Sequence, residues 1–482
     1  MRVGISKAML WTLILLPALY LNLKVIGITG NGRLLKSMQT KEGDCFMKEL
    51  ILVWLLCCVP LFSFADNNIT TGGDNSFNKS QEISQDQTKS LSSRAGGHRQ
   101  HLKEWTVIMY WDGDDHEIQS DLLNDFTEMA IAKVGSTDQV NMVIQFDRYP
   151  GESRYGGWSI THRFFLTLGM EPTEANAIKD WGDKQGGGRE ADMSDPDVLR
   201  DFIKWAVRNY PAKRYALIVA DHGFGWKGLA IDNTNYQRTM SVKQLRQAIE
   251  KSHVHFDLLS LDACLMQMIE VVHELWDSGV DILVGSEANG RTWPYAEILQ
   301  SIMQNPRMSA EEIGQIIVDR YIGSHPEDTD ITLSVVEVGR INALASAVKE
   351  LSLAILNDSP LEVVKDKAAE VMKAINNAVI YKKNALDWQS AGGISVYFPG
   401  DINVMASPPP ELLYFYKTPI ADFPGDSLWH DLLTYVWDFN NLNAHRFMLI
   451  DIRKNMKPFD LMENDKVDLY DLCNSIMNYP SP

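Results

Sequence analysis

The chain is poor in the features that would make it a disulfide scaffold, a nucleic-acid binder or a metal hydrolase. It has five cysteines in 482 residues, Cys45, Cys57, Cys58, Cys264 and Cys473. Three of them sit in or beside apolar N-terminal segments that a processed protein would lose. Cys264 and Cys473 remain, so one bridge between them is the most that could form, and a small cross-linked fold is excluded. Positive charge is scarce: Lys and Arg number 45 against 63 Asp and Glu, giving a net charge of −18. A protein that displaces counterions from phosphates needs a basic face, so nucleic acid is not an expected partner. The eleven histidines show no HExxH or comparable spacing, which argues against a metal hydrolase. His253 and His255 form an H-x-H pair before a strand and read as exposed loop residues. No internal repeat is evident. The composition, 45% hydrophobic and 22% charged, is that of a globular protein large enough for one big domain with additions or two or three ordinary ones.

Long apolar runs are confined to the N-terminus. Residues 47–65, MKELILVWLLCCVPLFSFA, have the layout of a signal peptide: Met47 and Lys48, an apolar run, then Ser63 and Ala65 before Asp66. The pattern begins with its own methionine, so residues 1–46 read as a start-site artefact or an extra N-terminal segment. Their apolar stretch, about 8–23, is short for a membrane crossing, which needs about 20 apolar residues. The mature form is expected to be secreted, cell-surface or periplasmic, with no stable membrane span. Residues 66–103 are polar and aperiodic, a flexible linker or pro-segment.

From Trp105 onward, short apolar runs alternate with helical stretches. Strands are expected at 105–111, 141–147, 214–221, 256–262, 280–286, 331–338 and 393–399. Helices are expected at 117–133, from Asp195-Pro196, after the capping boxes Ser241/Gln244 and Ser309/Glu312, and over 265–277. Continuously apolar strands interleaved with helices predict an α/β fold, a mostly parallel sheet covered on both faces. Residues 104–400 form the main unit on this reading, and 401–482, with Pro408–Pro410 and an aromatic-rich stretch, a C-terminal extension packed on it.

In open parallel sheets functional groups collect at the carboxyl ends of strands. Two strands end in reactive residues: RYALIVA runs into Asp221-His222-Gly223-Phe224-Gly225-Trp226, and FDLLSL into Asp262-Ala263-Cys264. If these strands are neighbours, His222 and Cys264 share one rim. An imidazole that takes the thiol proton makes cysteine a nucleophile at neutral pH, and a helix starting at Cys264 would further favour the thiolate. Gly223 and Gly225 leave backbone bare near His222, where an N–H could serve an oxyanion. The competing readings are structural: a buried cysteine is usually a small hydrophobe, and a histidine beside glycine is often a turn residue. Asp112, Asp114 and Asp115 form an acidic cluster after the first strand. Three adjacent acids do not establish a calcium site, and a solvated loop is the expectation.

The blocks WTVIMYWDGDDHEI, NDFTEM, VIQFDR, NYPAKRYALIVADHGFGW, FDLLSLDACLMQMIEV and GISVYFP, in this order, resemble the clostripain family of cysteine peptidases. The order of His before Cys is also similar to that of caspases. The resemblance implies a caspase-like α/β/α sandwich and an endopeptidase acting through a Cys264–His222 dyad on protein or peptide substrates with basic residues. Asp262 matches an acidic position of the family that would bind Arg or Lys before the scissile bond; its structural alternative is a strand-end residue holding local backbone. A second acidic contribution is expected from the loop beginning at Glu287, although Arg291 there is a cation where an acid is wanted. The dyad requires no cofactor; calcium is the ion the resemblance allows, since some members need it. Members that mature internally are cut between His and Cys. Residues 231–240 read as an exposed loop there, with Arg238 as the candidate cut site. The alternative to an enzyme is an inactive, peptidase-like surface binding protein.

Overall fold

The computed structural model describes residues 102–182, 187–400, 421–438, 441–459 and 466–480. The expected signal peptide and residues 66–101 of the expected linker therefore lie outside the described residues, while Lys103, expected to end that linker, opens the first strand. In chain order the elements that build the fold are β1 Lys103–Gly113, α1 His116–Ile131, β2 Val140–Arg148, β3 His162–Phe165, α2 Pro196–Asn209, β4 Ala212–Ala220, β5 Leu229–Asp232, β6 Arg238–Met240, α3 Val242–Ser252, β7 Phe256–Asp262, α4 Ile269–Glu274, β8 Val280–Gly285, α5 Tyr295–Gln304, α6 Ala310–Ser324, β9 Thr332–Glu337, α7 Ile341–Leu356, α8 Leu361–Ala378, β10 Val379–Asn384 and β11 Ser395–Tyr397. The C-terminal part adds α9 Phe423–Asp426, α10 Trp429–Trp437, α11 Ala444–Asn455, β12 Lys466–Asp468 and α12 Leu469–Met477.

Eight strands form one sheet in the order β10-β9-β8-β7-β4-β1-β2-β3. The five central strands run parallel, and β3, β9 and β10 each pair antiparallel with a neighbour. Side chains of β1 alternate between the two faces. Trp105, Val107, Met109 and Trp111 pack with α1, α5 and α6, while Ile108 and Tyr110 pack with α2, α3, α7 and α8. A strand buried on both faces needs apolar residues at successive positions, which is why these segments read as unbroken runs. This is the expected α/β/α sandwich. Both capping boxes form, at Ser241/Gln244 and Ser309/Glu312, and Asp195 caps α2 with Pro196 at its first turn.

Several expectations are corrected. The helix over 265–277 is only α4, Ile269–Glu274. Leu265 has φ +64°, and the N–H groups of Leu265 and Gln267 donate to Ala288 and Ser286, so they are spent on the neighbouring loop rather than on a helical turn. The 393–399 strand does not join the main sheet: β11 pairs with β12. The 231–240 loop is a hairpin, with Asp232 opposite Arg238. Cys264 and Cys473 are both free, and Cys473 is buried in α12. Strands β3 and β10 were not expected. They lie at the two sheet edges, where a short, partly polar strand suffices.

Candidate functional site

The register of β4 against β7 pairs Ala220 with Asp262. His222 and Cys264 each follow their paired residue by two positions, so they leave the sheet side by side. The close approach continues beyond the strands. The Asp221 N–H donates to the Asp262 carbonyl at 3.2 Å. A Cβ on Gly223 would come within 2.2 Å of the Cys264 carbonyl oxygen and 2.9 Å of its nitrogen. Only glycine lets these two turns touch.

Each side chain is set by its own loop. The Cys264 sulfur is partly exposed and accepts a hydrogen bond from the Gly290 N–H at 3.1 Å. Burial pushes the Cys264 thiol up; the Asp262 and Asp221 charges add to this, while the Gly290 N–H and Arg291 oppose it. The resting thiol is therefore not preset as a thiolate, and a base must take its proton. His222 Nε2 lies 3.6 Å from Asp115 Oδ1. Asp115 also caps α1 through the N–H groups of Glu117 and Ile118. Desolvation raises its carboxyl, but these two N–H groups and His222 outweigh that and hold it below its ordinary range. Asp115 thus sets an ionised carboxylate beside the imidazole. Gly223 pairs with Leu229 through flanking bonds, Ala230 N–H to the His222 carbonyl and Phe224 N–H to the Gly228 carbonyl. Neither uses the Gly223 N–H.

Asp262 does not spend its carboxylate on local backbone. Its Oδ2 accepts from the Tyr295 hydroxyl at 2.8 Å, and α1 brings Asp121 and Asp125 near it. Desolvation, with Asp121 adding, raises the Asp262 carboxyl to about 8 against the Tyr295 hydrogen bond. Desolvation and then Asp262, Glu128 and Asp121 raise Asp125 to about 9. Asp262, two residues before Cys264, thus belongs to a desolvated group of carboxyls with Asp121 and Asp125, and among the described residues no Lys, Arg or His makes an ion pair with them. Arg291 does not fill it, because its guanidinium pairs with Asp328 at 3.3 Å and Asp330 at 2.9 Å. Glu287 is not part of it either. Its side chain is 1% exposed, and burial and the neighbouring Asp468 carboxyl push it well above the ordinary range. A small apolar cluster of Leu265, Ala288, Trp388, Ala391 and Phe459 packs against Cys264. Arg238 is exposed at the start of β6 and pairs with Asp192 at 3.4 Å. His255 pairs with Asp281 on the surface.

Asp121, Asp125 and Gly290 were not singled out from the sequence, and Asp115 was named there only as a member of the acidic cluster after β1. Asp121 and Asp125 had a signal, since acids four apart on one helix share a face. Nothing local marks Gly290, whose contact is set by the β8 loop. The acidic cluster after β1 is not a solvated loop: Asp112 and Asp114 are 0% and 1% exposed, because β5 and β6 lie over them. Among the described residues no helix is long and apolar enough to cross a membrane.

The sequence model of the clostripain family matches residues 109–479. Clostripain of Hathewaya histolytica is 26% identical over 259 residues, which cover 49% of this chain and 46% of that protein. The chain thus spans about half the length of this curated relative. Two solved structures overlap it more loosely, each at TM-score 0.49 over 68% of this chain. One is a secreted C11 cysteine protease from Bacteroides thetaiotaomicron in complex with an irreversible peptide inhibitor, 17% identical and covered over 99% of its length. The other is an inactive zymogen C11 protease from Parabacteroides distasonis, 18% identical and covered over 98%. With the family match running through most of the chain, from within β1 to just beyond α12, the chain belongs to the clostripain family of cysteine peptidases.

Proposed function

We propose that the protein is an exported cysteine endopeptidase that cleaves peptide bonds after Arg or Lys, with Cys264 as nucleophile and His222 as base. What supports this reading is the register that pairs Ala220 with Asp262, each two residues before His222 or Cys264, together with the carboxyl group of Asp262 held by Tyr295. His222 takes the thiol proton as sulfur attacks the scissile carbonyl, giving a tetrahedral oxyanion. The unspent Gly223 N–H offers it a hydrogen bond. Collapse breaks the C–N bond, and the imidazolium gives its proton to the leaving amine. Water, deprotonated by the same ring, then hydrolyses the thioester. Asp115 steadies the imidazolium in between. The substrate cation enters the pocket of Asp262, Asp121 and Asp125, drawing protons off carboxyls that are largely neutral in the free enzyme. Chain export through the 47–65 signal fits a peptidase that meets its substrates outside the cytoplasm.

The decisive experiment is turnover of Arg, Lys and neutral peptide substrates, together with labelling by a basic peptidyl electrophile. Cys264→Ala is expected to lose both turnover and label. His222→Ala is expected to lower kcat by roughly 10²-fold or more, the usual loss for a positioned base. Activity of Cys264→Ala above a tenth of the unmutated protein would remove the assignment, and a well-folded, unlabelled parent chain would favour a binding protein.

Self-cleavage after Arg238 belongs to the same reading. The residue is exposed and opens a three-residue strand after a loop in which Tyr236 and Gln237 both have positive φ. Local fraying of so short a strand exposes the Arg238-Thr239 bond. The unmutated chain should yield a new N-terminus at Thr239, and Cys264→Ala should stay intact.

A further inference from the structure

The loop after β8 carries Arg291, a cation where an acid was expected, and the proposed specificity gives it no role. Residues 286–294 form no helix or strand, and among the described residues 289–292 make no backbone–backbone hydrogen bond. Side chains hold this stretch instead. The Gly290 N–H donates to the Cys264 sulfur at 3.1 Å. The Arg291 N–H donates to the hydroxyl of Tyr321, a buried residue of α6, at 3.0 Å. The Arg291 guanidinium meets three acceptors: Nη1 donates to the Gly290 carbonyl at 3.2 Å, Nε faces Asp328 Oδ2 at 3.3 Å, and Nη2 faces Asp330 Oδ1 at 2.9 Å.

Both ends of the Gly290–Arg291 peptide group are thereby held, its carbonyl by the guanidinium and its N–H by Tyr321. The N–H that reaches the sulfur lies across the Gly290 Cα, where a glycine backbone turns most freely. The two anchoring acids sit between α6 and β9, on a segment that is itself tied down. Trp388 Nε1 donates to the Asp330 carbonyl at 2.9 Å, and the Asp387 N–H donates to the Thr329 carbonyl at 2.7 Å. Trp388 belongs to the apolar cluster against which Cys264 packs. One exposed ion pair holds little. A planar fork that engages two carboxylates and a carbonyl at once fixes their relative places, which a lysine ammonium does not.

We propose that Arg291 is a positioning residue for the Cys264 nucleophile: anchored by Asp328 and Asp330, it fixes the Gly290–Arg291 peptide so that the Gly290 N–H stays on the sulfur and steadies the thiolate left when the proton passes to His222. The proposal rests on Cys264 being the nucleophile. A hydrogen bond to a charged acceptor is about twice as strong as a neutral one, so the Gly290 N–H favours the thiolate over the thiol. The charges around the sulfur make that support count. Asp262 at the end of β7 and Asp221 after β4 disfavour a thiolate, while the Gly290 N–H and Arg291 favour it. His222 stands on the neighbouring turn, and the Tyr321 hydroxyl faces the same region from α6.

The test reads the thiol directly. Alkylation of the full chain by iodoacetamide is followed from about pH 5 to 10, with the Cys264→Ala chain as the blank for other thiols, alongside turnover of an Arg peptide substrate. Arg291→Met keeps the bulk of the stem and removes the fork. Its alkylation midpoint should rise by about one pH unit, the size of one charge-assisted hydrogen bond. At pH 7 kcat should fall about tenfold with KM changed less than about twofold, since the thiolate fraction drops and the acidic group around Asp262 is untouched. Removing Arg291 also removes a positive charge, and the double variant Asp328→Asn, Asp330→Asn separates the two causes. It keeps the cation and takes away two negative charges. A pure field effect would lower the midpoint, whereas a loosened anchor should raise it by about half a unit. A fall in the double variant, or midpoints unchanged in both, would overturn the proposal. Both acids are partly exposed, so the double variant decides the matter even where Arg291→Met does not fold. A parent chain alkylated at Cys264 that hydrolyses no peptide would strike the endopeptidase reading instead, and the midpoints would still judge Arg291.

Discussion

Two groups of acids flank the candidate dyad, and they differ in what is left open. Asp262, Asp121 and Asp125 stand beside the Cys264 sulfur, with Tyr295 as a hydrogen-bond donor to Asp262 and a side still partly accessible to solvent. Asp112, Asp114 and Asp147 lie at the carboxyl ends of β1 and β2, Asp232 ends β5, and all four are sealed from solvent. Both groups crowd carboxyls together, and burial raises Asp262, Asp121 and Asp125 in the first as it raises Asp112, Asp114 and Asp147 in the second. On the proposed reading the first group exchanges its counter-charge with each substrate, whereas the second is closed to solvent. Exposure, rather than charge count, separates a recognition pocket from a structural site.

The largest effect expected from breaking this distinction is at Asp262. Asp262→Asn should lower kcat/KM for Arg and Lys substrates about a hundredfold, close to the 3 kcal/mol scale of a charge-assisted hydrogen bond. Neutral substrates should lose threefold or less. Equal losses on basic and neutral substrates would make Asp262 a structural residue.

The pH profile sharpens the same point. Burial raises the Asp262 carboxyl to about 8, so in the free enzyme it is mostly protonated at pH 7, and the substrate cation selects the ionised form. The ratio of kcat/KM for a basic over a neutral substrate should climb about tenfold per pH unit below 8 and flatten above it. Taking the ratio cancels the Cys264 and His222 ionisations, which both substrates share. A ratio that stays flat from pH 6 to 9 would detach selectivity from this carboxyl.

A smaller effect is expected at Asp125, deeper in the pocket. Asp125→Asn should reduce the basic-substrate preference about fivefold, because this carboxyl, raised to about 9, is neutral in most molecules at pH 7. Its stability effect has a definite sign. The folded-state value lies above the unfolded value near 4, so the folded state binds the proton more tightly. The contribution to stability is full below about pH 4 and declines as pH rises toward 9. Asp125→Asn should therefore gain in melting temperature relative to the parent at pH 8 more than at pH 6. An equal change at both would place the cost of Asp125 outside its titration.

Much of the fold was legible in the sequence, and the reason is physical. The central strands β1, β2, β4, β7 and β8 are apolar at successive positions because both faces are covered. The capped helices announced themselves through Ser241 and Ser309. Edge strands such as β10, with its Lys382 and Lys383, carry no such run. His222 and Cys264 stood out in the sequence because each follows a buried strand, two residues beyond the ends of β4 and β7. What surrounds them was not, since Gly290, Asp115 and Asp125 come from loops and a helix whose placement depends on tertiary packing. The expected helix after Cys264 failed for a related reason: the segment's donors go to Ala288 and Ser286, partners that lie across the sheet rather than along the chain.

Glu287 gives the smallest expected effect and the cleanest contrast with Asp262. Sequence position alone gives both a role in binding the substrate cation, since both follow strands that end near Cys264. The structure separates them. Asp262 keeps partial exposure and accepts a hydrogen bond from Tyr295, whereas Glu287 is sealed beside Asp468 of β12, which is raised to about 6 and held by the N–H groups of Gly392 and Asp471 at 2.6 and 2.7 Å. A carboxyl this well buried meets its partner rather than a substrate. Glu287→Gln keeps the shape and a hydrogen-bonding group while removing the proton-sharing acid. It should change the basic-to-neutral selectivity less than twofold, while shifting the melting temperature measurably, because the Glu287 carboxyl is buried beside Asp468. A selectivity loss as large as that of Asp262→Asn would return Glu287 to the pocket and show that the loop from Glu287 to Tyr295 turns over on binding substrate.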